Sequence, residues 1–175
     1  IWAVLIGIDG YLLYPLRGCV ADVLTMEQYL VNDLLVPRER IQKLLGPGRY
    51  GDTSTDISSI PSHANMISLL HSLITNSSIK CDDPIIIFFS GHGSRYSLSD
   101  DDGSPDVDEE LDDERSQKYV EALCPMDRNT IDSSGALIPD ITDRELNTIL
   151  AQIASVKGSR ITFILDCCHA GSVTR

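Results

Sequence analysis

Three short apolar blocks limit the folds open to this chain more than any other feature: Ala3–Ile8 (AVLIGI), Pro84–Phe89 (PIIIFF) and Ile161–Leu165 (ITFIL). Each is continuous rather than alternating, rich in β-branched or aromatic residues, and followed by small or polar ones. They are too short for buried helices, and an unbroken apolar run is what a strand covered on both faces requires. Amphipathic stretches lie between them. Val20 to Leu34 places Val20, Val23, Leu24, Leu30, Val31 and Leu34 near a 3.6-residue period. Ser62 is positioned to cap a helix running to about Thr75. Thr142 or Asp143 is positioned to cap another, carrying Leu146, Ile149, Leu150 and Ile153 and stopped at Gly158. Ile41–Leu45 reads as a further strand. Strands alternating with helices imply an α/β domain, a mostly parallel sheet with helices on both faces.

The stretch from Ser94 to Gln117 breaks this rhythm. It is poor in apolar residues and reads as a long loop. Ten acids and no base lie between Asp100 and Glu114, so the net charge of −12 describes one segment rather than the whole surface. An acidic chain argues against nucleic-acid partners, which require Lys and Arg against phosphate. No apolar run approaches the roughly 20 residues that span a bilayer, so no membrane partner is expected. The first residues run straight into an apolar block with no basic flank and no Met, as in a segment of a longer protein. Five cysteines, Cys19, Cys81, Cys124, Cys167 and Cys168, make a poor disulfide framework and show no zinc spacing. Free thiols in a cytoplasmic, or nuclear, compartment follow.

Reactive residues sit just past two of the strands. One strand runs into Ser90-Gly91-His92-Gly93, the other into Asp166-Cys167-Cys168-His169-Ala170-Gly171. In an open parallel sheet, functional groups gather beyond the carboxyl ends of strands. A thiol with a pKa of about 8.5 is mostly protonated at neutral pH, and a nearby imidazole can take its proton and later return one to a leaving amine. Gly91 and Gly93 allow a sharp turn and close approach of a substrate backbone. Main-chain N–H groups at Gly93 and Cys168 are candidate oxyanion donors. Spacing alone does not choose between Cys167 and Cys168. His63 and His71 read as surface or packing residues, and Cys19, Cys81 and Cys124 as packing residues or ordinary thiols.

The ordered motifs Leu16-Arg17-Gly18-Cys19-Val20-Ala21-Asp22, Ser90-Gly91-His92-Gly93 and Asp166-x-Cys168-His169-x-Gly171 resemble the caspase-like domain of metacaspases, particularly those of fungi. The resemblance spans nearly the whole chain. It implies a caspase-like three-layer α/β sandwich, with residues 1–175 as the large-subunit portion of the catalytic domain. It implies a cysteine endopeptidase with His92 and Cys168 as the dyad, and His169 as a structural member of its motif. It places Asp22 and Asp166 in the pocket for the substrate residue before the cut, where two carboxylates suit Arg or Lys. The expected partners are protein or peptide substrates with a basic residue there, and a small-subunit segment beyond Arg175. The competing class is a non-catalytic interaction module of the same fold, which would have no need of both dyad residues.

No cofactor is required for this chemistry, but the resemblance raises calcium as an activator. Ile141-Thr142-Asp143-Arg144-Glu145 resembles the family's acidic stretch and keeps Asp143 as a metal candidate. Arg144 stands where a second acidic ligand would be, and a cation there repels calcium. Asp100, Asp101 and Asp102 are alternative oxygen donors.

Overall fold

The computed structural model describes residues 1–48, 59–97 and 119–168. Its first sheet has four parallel strands: β1 (Trp2–Ile8), β2 (Ile41–Gly46), β3 (Ile85–Ser90) and β7 (Ile161–Asp166), in the spatial order β2-β1-β3-β7. The elements between them are α1 (Cys19–Asn32), α2 (His63–Thr75) and α3 (Asp143–Lys157). A second sheet of three antiparallel strands, β4 (Gly93–Ser97), β5 (Tyr119–Leu123) and β6 (Ile141–Thr142), joins on after β3 in the order β4-β5-β6.

Alternation along the central strands sends their side chains into two cores. Val4, Ile6 and Ile8 of β1 meet Met66, Leu70 and Leu73 of α2 and Leu146, Ile149 and Ile153 of α3. Ala3 and Leu5 face the other way, toward Val23 and Leu30 of α1. All seven residues of β1 are buried, which is why its sequence is unbroken in apolar character. Gly7 permits the close approach of α1: a Cβ there would lie 2.7 Å from the Cys19 carbonyl oxygen and 2.8 Å from Val23 Cγ2.

The expected helix starts are present. Ser62 accepts from Asn65 N and Thr142 from Glu145 N, each satisfying an N–H that the first turn leaves unpaired. Gly158 closes α3 with φ 87, a left-handed value that glycine adopts without penalty. One expectation is corrected: the loop read from Ser94 onward begins as a strand, since Gly93–Ser97 pairs with Tyr119–Leu123. The rest of that loop, including Asp100, Asp101 and Asp102, lies outside the described residues, as does His169. Among the described residues no helix is long and apolar enough to cross a membrane.

Candidate active site

Three parallel strands end level with one another. Gly7 of β1 is paired with Ser90 of β3, and Ser90 with Asp166 of β7. Two residues beyond each of these lie Asp9, His92 and Cys168. Adjacent strands stand about 4.8 Å apart, so register alone carries an imidazole and a thiol from distant parts of the chain to one edge.

His92 is held at several points. Its Nε2 lies 2.8 Å from the Tyr14 carbonyl oxygen. A carbonyl only accepts, so Nε2 carries the proton and Nδ1 is left as the basic nitrogen. Tyr14 takes φ 57, a left-handed conformation uncommon outside glycine, while its side chain is exposed. The His92 N–H donates to Tyr11 Oη at 2.8 Å, and its ring lies 4.6 Å from the Tyr11 ring, tilted by 50°.

The two adjacent cysteines differ sharply. Cys167 is half-buried and packs against the larger core. Burial pushes its thiol up to about 12, and the negative charges of Cys168, Asp166 and Glu121 act in the same direction. Cys168 is exposed, and its Sγ donates to the Gly93 carbonyl at 3.1 Å, one residue past His92. Gly93 cannot carry a side chain in this arrangement, because a Cβ would lie 2.0 Å from the Cys168 carbonyl oxygen. The main chains of Gly93 and Cys168, the expected oxyanion donors, therefore lie against each other beside the thiol.

An acidic corner adjoins the pair. Asp166 is exposed and accepts from Ser90 Oγ at 3.3 Å, while Ser90 itself is buried. Asp22 stands exposed in the first turn of α1. Asp9 supplies the cap that Gly18 lacks: its carboxylate accepts from Cys19 N at 3.0 Å and Val20 N at 3.4 Å, favourable against the positive end of the helix dipole. Burial raises the Cys19 thiol; a hydrogen bond from Ser90 opposes this, and the charges of Asp9 and Asp22 add to it. Cys19 thus lies among Ser90, Asp9 and Asp22, and Ser90 connects onward to Asp166. Asp9 and Ser90 were not singled out in the sequence. Ser90 stood within a motif, but nothing local marked Asp9 as a cap for a helix starting at Cys19.

Asp143 begins α3, and its Oδ1 accepts from Arg144 N at 2.7 Å. Among the described residues no three acidic, His or Cys side chains come together as a metal site. His63 and His71 lie on α2, the first half-buried and the second exposed.

A parallel sheet between helices, with His and Cys beyond neighbouring strands and carboxylates beside them, defines the caspase-like class of α/β proteins. The family model described as "Metacaspase, peptidase C14 domain" matches residues 2–175. The chain belongs to the metacaspase family. It is 32% identical to Metacaspase III c of Phaeodactylum tricornutum over 98% of this chain and 43% of that protein. It is 31% identical to Metacaspase-1A of Aspergillus oryzae over 97% of this chain and 34% of that one. The chain thus spans less than half the length of these relatives. Among solved structures, protein GSU0716 from Geobacter sulfurreducens superimposes with a TM-score of 0.61 at 18% identity, covering 98% of this chain and 52% of that one, a likeness of fold.

Proposed function

We propose that the protein carrying this chain is a cysteine endopeptidase that cleaves after Arg or Lys. The observation that supports the reading is the level ending of β3 and β7, with His92 and the exposed Cys168 each two residues beyond it and His92 Nε2 on the Tyr14 carbonyl. His92 Nδ1 takes the proton from Cys168 Sγ, and the thiolate attacks the peptide carbonyl. Main-chain N–H groups of Gly93 and Cys168 receive the developing oxyanion. The Nδ1 proton passes to the leaving amine, and water then releases the acyl group from Cys168. Asp22 and Asp166, with Ser90 at the end of β3, offer a basic side chain two carboxylates.

Strand β7 has one paired flank among the described residues, and a small-subunit segment beyond Arg175 would complete the cleft there. The free cysteines fit a reducing, cytoplasmic setting. These steps require no cofactor, and calcium enters the reading as an activator to be tested.

The test uses the full-length protein and fluorogenic peptides ending in Arg or Asp, each with and without calcium. Cleavage of the Arg peptide, lost in Cys168→Ala and in His92→Ala, is expected. Preference for the Asp peptide would remove the role given to Asp22 and Asp166. Cleavage surviving in Cys168→Ala would remove the dyad.

A further inference from the structure

Tyr11 belongs neither to the His92–Cys168 pair nor to the acidic corner, yet it is among the most enclosed large side chains in the molecule, 1% exposed. Its hydroxyl closes a ring of hydrogen bonds. The His92 N–H donates to Tyr11 Oη at 2.8 Å. Tyr11 Oη donates to the Cys124 carbonyl at 3.0 Å. The Cys124 N–H returns to the His92 carbonyl at 3.0 Å. Both main-chain groups of His92 are thereby satisfied at a residue lying between β3 and β4, outside either strand.

We propose that Tyr11 is a positioning residue that sets the orientation of His92 for proton transfer, an inference that rests on the dyad reading above. The hydroxyl fixes the root of the side chain, the phenol ring supports its face, and Tyr14 holds its far nitrogen. A misplacement of about 1 Å at a reacting group can cost roughly a hundredfold in rate, so a loop-borne imidazole needs such restraints.

Two further observations point the same way. Gly91 leaves room for the hydroxyl: a Cβ there would lie 2.6 Å from Tyr11 Oη. Burial also pushes the Tyr11 hydroxyl well above the ordinary tyrosine value, so it stays protonated and donates while it accepts. The far side of the ring is anchored in turn. Cys124 Sγ lies 3.7 Å from Asp140 Oδ2, and that oxygen also accepts from Ser94 Oγ at 2.7 Å, Arg128 Nη2 at 2.9 Å and Tyr96 Oη.

The decisive variant is Tyr11→Phe in the full-length protein, which keeps the ring against His92 and removes only the hydroxyl. The expected result is a fall in kcat of about ten- to a hundredfold, with KM within about twofold because no substrate contact is lost. The pH at which Cys168 is half-maximally alkylated by iodoacetamide should rise, since a misaligned imidazole favours the thiolate less. Wild-type kcat with an unmoved alkylation profile would overturn the inference. So would a lowered melting temperature accompanied by no change in that profile, which is the mark of a purely structural residue. Gly91→Ala crowds the same hydroxyl, and also the Phe89 ring, whose Cζ would lie 2.9 Å from the new Cβ, and should cost kcat in the wild type. If Tyr11→Phe does not fold, unchanged kcat in Gly91→Ala overturns the proposal. His92→Ala run alongside separates the two levels: activity surviving that change refutes the dyad itself, whereas activity lost there but kept in Tyr11→Phe refutes only Tyr11.

Discussion

Cys167 and Cys168 are neighbours in sequence, and alkylation should tell them apart by a wide margin. Cys167 is half-buried among core residues, with its thiol pushed up to about 12. At pH 7.5 its thiolate fraction is then on the order of 3 × 10⁻⁵, against about one tenth for a thiol of ordinary pKa near 8.5. That is a deficit of about 3,000-fold. Intrinsic nucleophilicity rises with pKa, with a slope of about 0.4–0.5 per unit, and returns roughly 40-fold. The net handicap of Cys167 is therefore about 10²-fold on ionisation alone, before its restricted access is counted. The assay is iodoacetamide labelling at pH 7.5 of Cys167→Ala and Cys168→Ala, followed by peptide mass spectrometry, with the exposed Cys81 as a reference for access. Cys168 should label faster than Cys167, whose own labelling should rise with each pH unit toward 12. Equal rates at pH 7.5, or faster labelling of Cys167, would refute the reasoning from burial and local charge.

Two further outcomes follow from groups away from the proposed dyad. Cys124, like Cys167, is pushed up to about 12, by burial first and then by the Asp140 charge. A folded-state pKa above the unfolded value of about 8.5 means that these thiols contribute stability that is complete below pH ~8.5 and lost as pH rises toward ~12. The melting temperature should decline over that window, less steeply in Cys124→Ala, and identical slopes for the two proteins would contradict this. Asp140→Asn removes the buried carboxylate that Arg128, Ser94 and Tyr96 share. Leaving Arg128 without its partner should cost about 3 kcal/mol in a urea titration; a loss under about 1 kcal/mol would show that this pair behaves like a surface one.

What the sequence made legible was whatever is encoded locally. β1 and β3 were readable because burial on both faces leaves almost no polar position to interrupt the run; β7 was readable from its apolar run although it lies at the edge of its sheet with Thr162, Ile164 and Asp166 exposed, so its burial on both faces is not seen among the described residues. Ser62, Thr142 and Gly158 were readable because capping acts within a few residues. The second sheet was not readable. Gly93–Ser97 has Tyr96 as its sole large apolar residue, and β6 has only two residues. These strands exist because their partners do, in pairings such as Gly93 with Leu123. The same divide runs through the site. His92 and Cys168 announced themselves by chemistry and flanking glycines. Asp9 and Tyr11 act across distances of 10 and 81 positions, and no local pattern marks a residue whose task lies so far along the chain.

That distance has a kinetic consequence. The hydrogen bond joining the ends of β3 and β7 spans 76 positions, and the one from His92 to Tyr11 spans 81. Contacts this remote must overcome a large loop-closure entropy and form slowly relative to helices and turns. A chain emerging from the ribosome can hold α1 and α2 well before β7 exists. Until β7 docks beside β3, the thiol and the imidazole belong to separate parts of an incomplete structure. The docking of β7 beside β3 is thus among the last pairings the chain can make, and a copy that lacks it carries His92 and Cys168 without the register that brings the two strand ends together.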